Sequence, residues 1–223
     1  MGRFATLRLF RGRFHPLPAF AVVLLCVQAA AQPESAKTQA GTKKARPEAA
    51  SAKQKKPDAA ELFSRLVEEP TKENYLAARA FVIGHESYKP YSTDVFELGD
   101  TKTEAGSRQV LEAIQRCSPN LLFSPRAHLT AAVAAKTLGD EKRSRLEMEI
   151  TRRLIRAILT TGEGTKNKPY LILRLTDQDD VLMHLRKKQE RQSLVQDGGK
   201  FDVIRCADGA DIWFDVSNIF GRH

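Results

Sequence analysis

Two glycine turns near the C-terminus, Asp197-Gly198-Gly199 and Asp208-Gly209, constrain this chain more than any other feature. Each suits a hairpin that needs positive φ, and each separates short runs of apolar residues, so the chain must fold back there as antiparallel strands. The stretch from Gly162 to Val216 is organised around them. It opens with Gly162-Glu163-Gly164-Thr165, meets Pro169-Tyr170 before an apolar run, and closes on Trp213-Phe214-Asp215-Val216. Tyr170 to Leu175 reads as a buried strand. Thr176 to Lys188 reads as a short helix, capped by Thr176 with Asp179 three residues on. The Gly162–Lys166 segment is no phosphate loop: it lacks a second glycine at the required distance before a Lys-Ser/Thr pair, and it leaves a helix to enter a strand.

Register follows by counting if Asp208-Gly209 is a two-residue loop. Ile204 then faces Trp213, Val203 faces Phe214, Asp202 faces Asp215 and Phe201 faces Val216. One face carries Phe201, Val203, Ile212, Phe214 and Val216 toward the helices. The other carries Ile204, Trp213, Asp202 and Asp215. Two carboxylates opposite one another weaken a sheet. They could share a proton, hold a hard cation or pair with a cationic side chain, or each could be satisfied by a lysine, an arginine or a backbone N–H. Asp202, Trp213 and Asp215 are therefore candidate ligand-binding residues.

Upstream the pattern is helical. Asp58-Ala59-Ala60-Glu61 is a capping box, Pro70 ends the first helix, and Thr71 caps a second whose inner face is Tyr75, Ala78 and Val82, with Gly84 as its left-handed stop. His85 to Ser107 reads as irregular, and a third helix as running from about Arg108 to Cys117. Ser124-Pro125 starts an alanine-rich helix; Gly139 stops it, and Asp140 caps the next, which runs to about Thr161 with Leu146, Ile150, Leu154, Ile155, Ile158 and Leu159 as its buried stripe. His128 lies in the first turn of its helix, where the dipole favours a neutral ring able to act as a base; a packed, hydrogen-bonded histidine is the other reading.

The N-terminus reads as an address. Four arginines through Arg13, a short apolar run from Ala19 to Val27, and Ala29-Ala30-Ala31 make up a signal peptide over residues 1–31. Residues 32–58, rich in Ala, Lys, Gln and Pro, read as a disordered tether. Of the net charge of +9, these two segments carry all but one unit. Of 36 basic and 27 acidic residues they hold eleven and three, leaving 25 against 24 for residues 59–223, so a basic nucleic-acid face on the folded part is not supported. Cleavage would leave Cys117 and Cys206, which could form a bridge or remain two separate thiols.

Several of these elements, taken in order, resemble the bacterial family known as domain of unknown function 4919, whose members are typically exported. The resemblance runs from Pro70 to the C-terminus. It rests on Tyr88, Pro90 and Tyr91, on His128 early in its helix, on Gly162, Gly164 and Thr165 followed by Pro169-Tyr170, and on Trp213-Phe214-Asp215. Where the family places a tyrosine after an acidic pair, this chain has Val181 after Asp179-Asp180. The resemblance implies no activity. Tyr88, Tyr91 and His128 join the candidate ligand-binding residues.

The expected architecture is α+β: tetratricopeptide-like helical hairpins over 59–161, packed as one unit on a small, mostly antiparallel sheet over 162–223. The expected role is a non-catalytic binding or assembly module of the cell envelope, periplasmic or extracellular. It needs no cofactor, binds an envelope protein or small ligand rather than nucleic acid, and keeps no membrane span after cleavage. The alternative is a hydrolase or metal-dependent enzyme using Asp202, Asp215 and His128.

Overall fold

The computed structural model describes residues 57–90 and 99–220; the segment expected to be a signal peptide, nearly all of the segment expected to be a tether, and Tyr91 lie outside them. The described chain is α+β. Five helices come first: α1 Ala59–Glu68, α2 Lys72–Gly84, α3 Glu104–Arg116, α4 Pro125–Thr137 and α5 Glu141–Leu159. Then follow β1 Tyr170–Leu171, α6 Thr176–His184, β2 Gln189–Gln196, β3 Lys200–Cys206, β4 Asp211–Asp215 and α7 Ser217–Phe220. No helix among the described residues is long and apolar enough to cross a membrane.

Helix starts are set by side-chain oxygens that accept otherwise orphaned N–H groups. Asp58 accepts from Glu61, Thr71 from Asn74, Thr103 from Gly106, Ser124 from Ala127 and Asp140 from Arg143. α3 begins earlier than its apolar spacing suggests, because Thr103 caps it ahead of a glycine that normally discourages helix. That glycine is required: a Cβ on Gly106 would lie 2.1 Å from the carbonyl oxygen of Asp100. Gly84 does not stop α2 in a left-handed conformation; it ends the helix itself, and His85 follows with φ −83°. Gly139, at φ +76°, does stop α4, and α5 returns antiparallel along it. Leu146, expected in the buried stripe of α5, is 58% exposed, because the stripe meets the core only from Ile150 onward.

The sheet has the order β1-β4-β3-β2, with β1 parallel to β4 and the other two pairings antiparallel. Its inner face gives Ile204, Cys206, Ile212, Phe214 and Val216 to a core shared with Leu62 and Leu66 of α1, Tyr75 and Val82 of α2, and Leu154 and Ile158 of α5. Burying a side chain such as Phe214 stabilises by about 1.5–3 kcal/mol. A second cluster joins Val110 and Leu111 of α3 to Leu121, Ala127, Ala131 and Ala134.

The β3–β4 turn differs from the two-residue count. Cys206 N donates to Ala210 O at 2.8 Å, so the loop is Ala207-Asp208-Gly209, with Gly209 at φ +81°. A three-residue loop ending in a left-handed glycine moves the register by one. Asp202 now faces Phe214, Val203 faces Trp213, and Phe201 faces Asp215. Asp202 and Ile204 therefore turn inward while Phe201 and Val203 turn outward, the reverse of the expected assignment. Asp202 and Asp215 are on opposite faces.

The strand expected over 170–175 stops after two residues, because side chains take over its hydrogen bonding. The Leu171 carbonyl accepts from the Tyr75 hydroxyl at 3.0 Å, Ile172 from Arg79 Nε at 3.3 Å and Leu173 from the Tyr88 hydroxyl at 2.5 Å. Leu171 N donates to Thr161 Oγ1 at 2.9 Å, and Leu173 and Arg174 N–H both donate to Asp177 Oδ2. Thr176 is consequently not the cap of α6; the reach-back carboxylate of Asp177 fixes that turn instead. α6 ends at His184, short of Lys188, with Arg186 in the left-handed region at φ +56°.

Candidate functional site

The new register gathers three rows of side chains on the outer face of the sheet. Across β2, β3 and β4 they are Arg191–Arg205–Asp211, Ser193–Val203–Trp213 and Val195–Phe201–Asp215. Trp213 is half-buried at the centre. Phe201 meets it edge-on with ring centroids 6.0 Å apart, and Lys166 Nζ lies 5.9 Å from its ring centroid while pairing with Asp197 at 2.8 Å. A shallow cavity of about 180 Å³ lies over Arg191, Ser193, Val195, Val203, Arg205, Asp211 and Trp213.

Charge on this face is uneven. Arg205 Nη2 donates to Asp211 Oδ2 at 2.7 Å and Nη1 to the Gly209 carbonyl at 3.2 Å. Arg191 lies directly across from Arg205 and has no partner among the described residues. Opposed like charges disfavour the pairing, so the row holds one uncompensated guanidinium beside an indole, a hydroxyl and two aliphatic groups. Such a surface can take an apolar body carrying an anion.

The Gly162–Lys168 loop is fastened to the backbone of β4 at Trp213. Trp213 N donates to the Gly164 carbonyl at 2.9 Å, so the Gly-x-Gly-Thr and Trp-Phe-Asp stretches meet in space. Gly164 is at φ +68°, and a Cβ there would approach the buried Tyr170 ring to 2.6 Å. Gly164→Ala is expected to destabilise by about 2 kcal/mol, from left-handed strain plus displacement of that ring. Urea unfolding followed by the emission of Trp213, the sole tryptophan, measures it; an unchanged midpoint would contradict the close approach.

The remaining candidates are dispersed. Asp202 is 4% exposed on the inner face, where Gln178 donates to its Oδ2 at 2.9 Å and Gln192 donates to the same oxygen. Asp215 Oδ1 accepts the Ser217 N–H at 2.8 Å. Tyr88 belongs to the core, 5% exposed, with its hydroxyl accepting from Asn218 at 2.7 Å and its pKa pushed up to about 12, first by burial.

His128 is a packed histidine. Nδ1 lies 2.7 Å from Glu147 Oε2 and Nε2 lies 2.9 Å from the Leu122 carbonyl, with Phe63 stacked on the ring at 5.5 Å. Both ring nitrogens are thus engaged within the protein. Neither nitrogen is left for a substrate. A cavity of about 340 Å³ beside it is lined by Ile114, Leu122, Ala131, Arg143 and Glu147, whose charged groups are engaged with one another and with His128. Cys117 and Cys206 are both free thiols, and burial raises the pKa of Cys206. Among the described residues no three His, Cys, Asp or Glu side chains gather as metal ligands.

Sequence reasoning reached Trp213 but missed its neighbours. Arg191, Ser193 and Val195 alternate across the Asp197-Gly198-Gly199 turn from Phe201, Val203 and Arg205, a signal visible once that turn is counted as three residues. No protein-family model, curated protein or solved structure matches the chain.

Proposed function

We propose that this chain is exported through its N-terminal segment and serves as a non-catalytic binding or assembly module of the cell envelope, in the periplasm or outside the cell. Its contact surface is the outer sheet face around Trp213. One observation carries the reading: the sole tryptophan is half-buried on a sheet face beside Phe201 and Val203, with an arginine on the same face that has no partner among the described residues. Aromatic and arginine side chains supply most of the energy at protein contacts, whereas a solvated face normally alternates polar residues outward.

Membership of the family with domain of unknown function 4919 is part of the same proposal, supported by the meeting of two of its motifs at Gly164 and Trp213. So is the tetratricopeptide-like character of the helical pairs, supported by the small residues Ala127, Ala131 and Ala134 buried on α4. The test is capture from the native envelope by the mature protein and by its Trp213→Ala variant. A partner held by the wild type and weakened at least about thirtyfold in the variant is expected for a central aromatic anchor. Identical capture by both removes Trp213 as the contact.

A further inference from the structure

β2 is the free edge of the sheet. It runs for eight residues, all but Val195 of them exposed, and no other described element pairs with its outer side. Alternate residues there point backbone N–H and C=O groups into solvent, a template that only another extended backbone matches. Natural edges of this length are usually blunted by proline, a lysine or a covering helix. Here the stretch from Arg191 to Gln196 holds no proline and no lysine; its single charged residue is Arg191, and a bulge interrupts the edge between Gln189 and Arg191.

The side chains narrow the occupant. Arg191, Ser193 and Val195 line the outer face, and Leu194, 51% exposed, projects from the other. Following the row outward from β4, the charges run Asp211 negative, Arg205 positive, Arg191 positive, and then stop. A carboxylate on the next strand, opposite Arg191, completes the row. It would lie beside the shallow cavity over Ser193 and Trp213.

We propose that β2 accepts an extended segment of another protein as a fifth strand, selected by an acidic side chain opposite Arg191 and by aliphatic ones beside Leu194 and Val195. This deepens the binding-module reading and rests on it, because it names the chemistry of the partner at the same face. A second copy of the chain fits less well: antiparallel self-pairing centred on Ser193 would place Arg191 against Val195 and supply no acid, and pairing centred on Leu194 would offer only Asp197, which lies in the turn beyond β2 and already pairs with Lys166 at 2.8 Å.

The test uses the mature protein and synthetic octapeptides of alternating Thr and Val with a single Glu, with Lys in its place, and with the Glu peptide N-methylated on either alternate set of residues. Binding is followed by Trp213 emission and calorimetry. The Glu peptide is expected to bind roughly tenfold more tightly than the Lys peptide, and Arg191→Glu to invert that order. One N-methylated set should abolish binding and the other should not, as only one set faces β2. Failure of the Glu peptide to bind, or an order unchanged by Arg191→Glu, overturns the proposal. So does a concentration-dependent dimer in sedimentation that excludes the peptide, which would assign the edge to a second copy. Peptide failure with envelope capture still dependent on Trp213 sinks the fifth strand alone; an inverted peptide order without any Trp213-dependent partner sinks the wider reading instead.

Discussion

Arg126→Ala is expected to lower the free energy of unfolding by about 3–5 kcal/mol at pH 7 and by clearly less at pH 5. Arg126 stands in the first turn of α4 and donates from Nε to Asp180 Oδ1 at 2.7 Å, with Nη2 2.6 Å from the same oxygen. Asp180 is on α6, its side chain 1% exposed, so this pair ties the helical half to the segment that leads into the sheet. Its second oxygen, Oδ2, is buried with no hydrogen-bond partner among the described residues. Burial already outweighs the arginine, and the carboxyl pKa is raised. Without the guanidinium an uncompensated buried charge remains, and the cheapest response is to take up a proton.

Acid therefore rescues the variant, and so should neutralising the other partner. Asp180→Asn combined with Arg126→Ala is expected to recover much of the loss, and the four-variant cycle isolates the pair from the other contacts of Arg126. Urea titrations at the two pH values provide the numbers. A loss below about 1 kcal/mol, or one independent of pH, would show that the pair is compensated elsewhere.

The parts of this fold that sequence reveals are those specified locally. Asp58, Thr71, Ser124 and Asp140 each cap a helix through a contact three residues away, so the residues that name the cap also make it. The segment after Tyr170 fails that condition. Its apolar run is compatible with a strand, but Tyr75, Arg79 and Tyr88, some 85 to 96 residues upstream, occupy its carbonyls. The β3–β4 register fails for another reason. β3 carries apolar residues on both faces, Phe201 and Val203 outward and Ile204 and Cys206 inward, so its burial pattern alone cannot choose between a two- and a three-residue loop. The repulsion between opposed Asp202 and Asp215 was the available physical vote for the longer loop. The candidate site inherits that ambiguity: Trp213 is visible as the sole indole, whereas the company it keeps depends on the register.

The second large effect concerns Asp177 and has a sign that pH reveals. The carboxyl is 1% exposed, its Oδ2 accepts two backbone N–H groups at 2.9 and 3.0 Å, and its Oδ1 has no hydrogen-bond partner among the described residues. Burial pushes its pKa up to about 7, against the pull of Arg174 and those two donors, with Asp180 adding to the rise. In the unfolded chain the same group titrates near 4. Between those values the folded state holds a proton that the unfolded state has lost, so stability falls as pH rises. The contribution is fully present below about pH 4, is lost as pH rises through about 7, and amounts to roughly 4 kcal/mol over that window at about 1.4 kcal/mol per unit. Asp177→Asn retains an acceptor for Leu173 and Arg174 but cannot ionise. Its amide puts two N–H groups where the protonated carboxyl has one O–H, so one more donor is left unpaired at every pH, costing about 1–3 kcal/mol. The variant is therefore expected to be less stable than the wild type at pH 4, to lose the downward slope between pH 4 and 7, and to be the more stable of the two by about 1–3 kcal/mol at pH 8. Raised Asp180 adds a slope of the same sign in both proteins, so the difference between the two curves, rather than either alone, reports Asp177. Parallel curves from pH 4 to 8 would mean that the buried carboxylate stays ionised throughout, stabilised by Arg174 and the two N–H groups that fix the turn into α6.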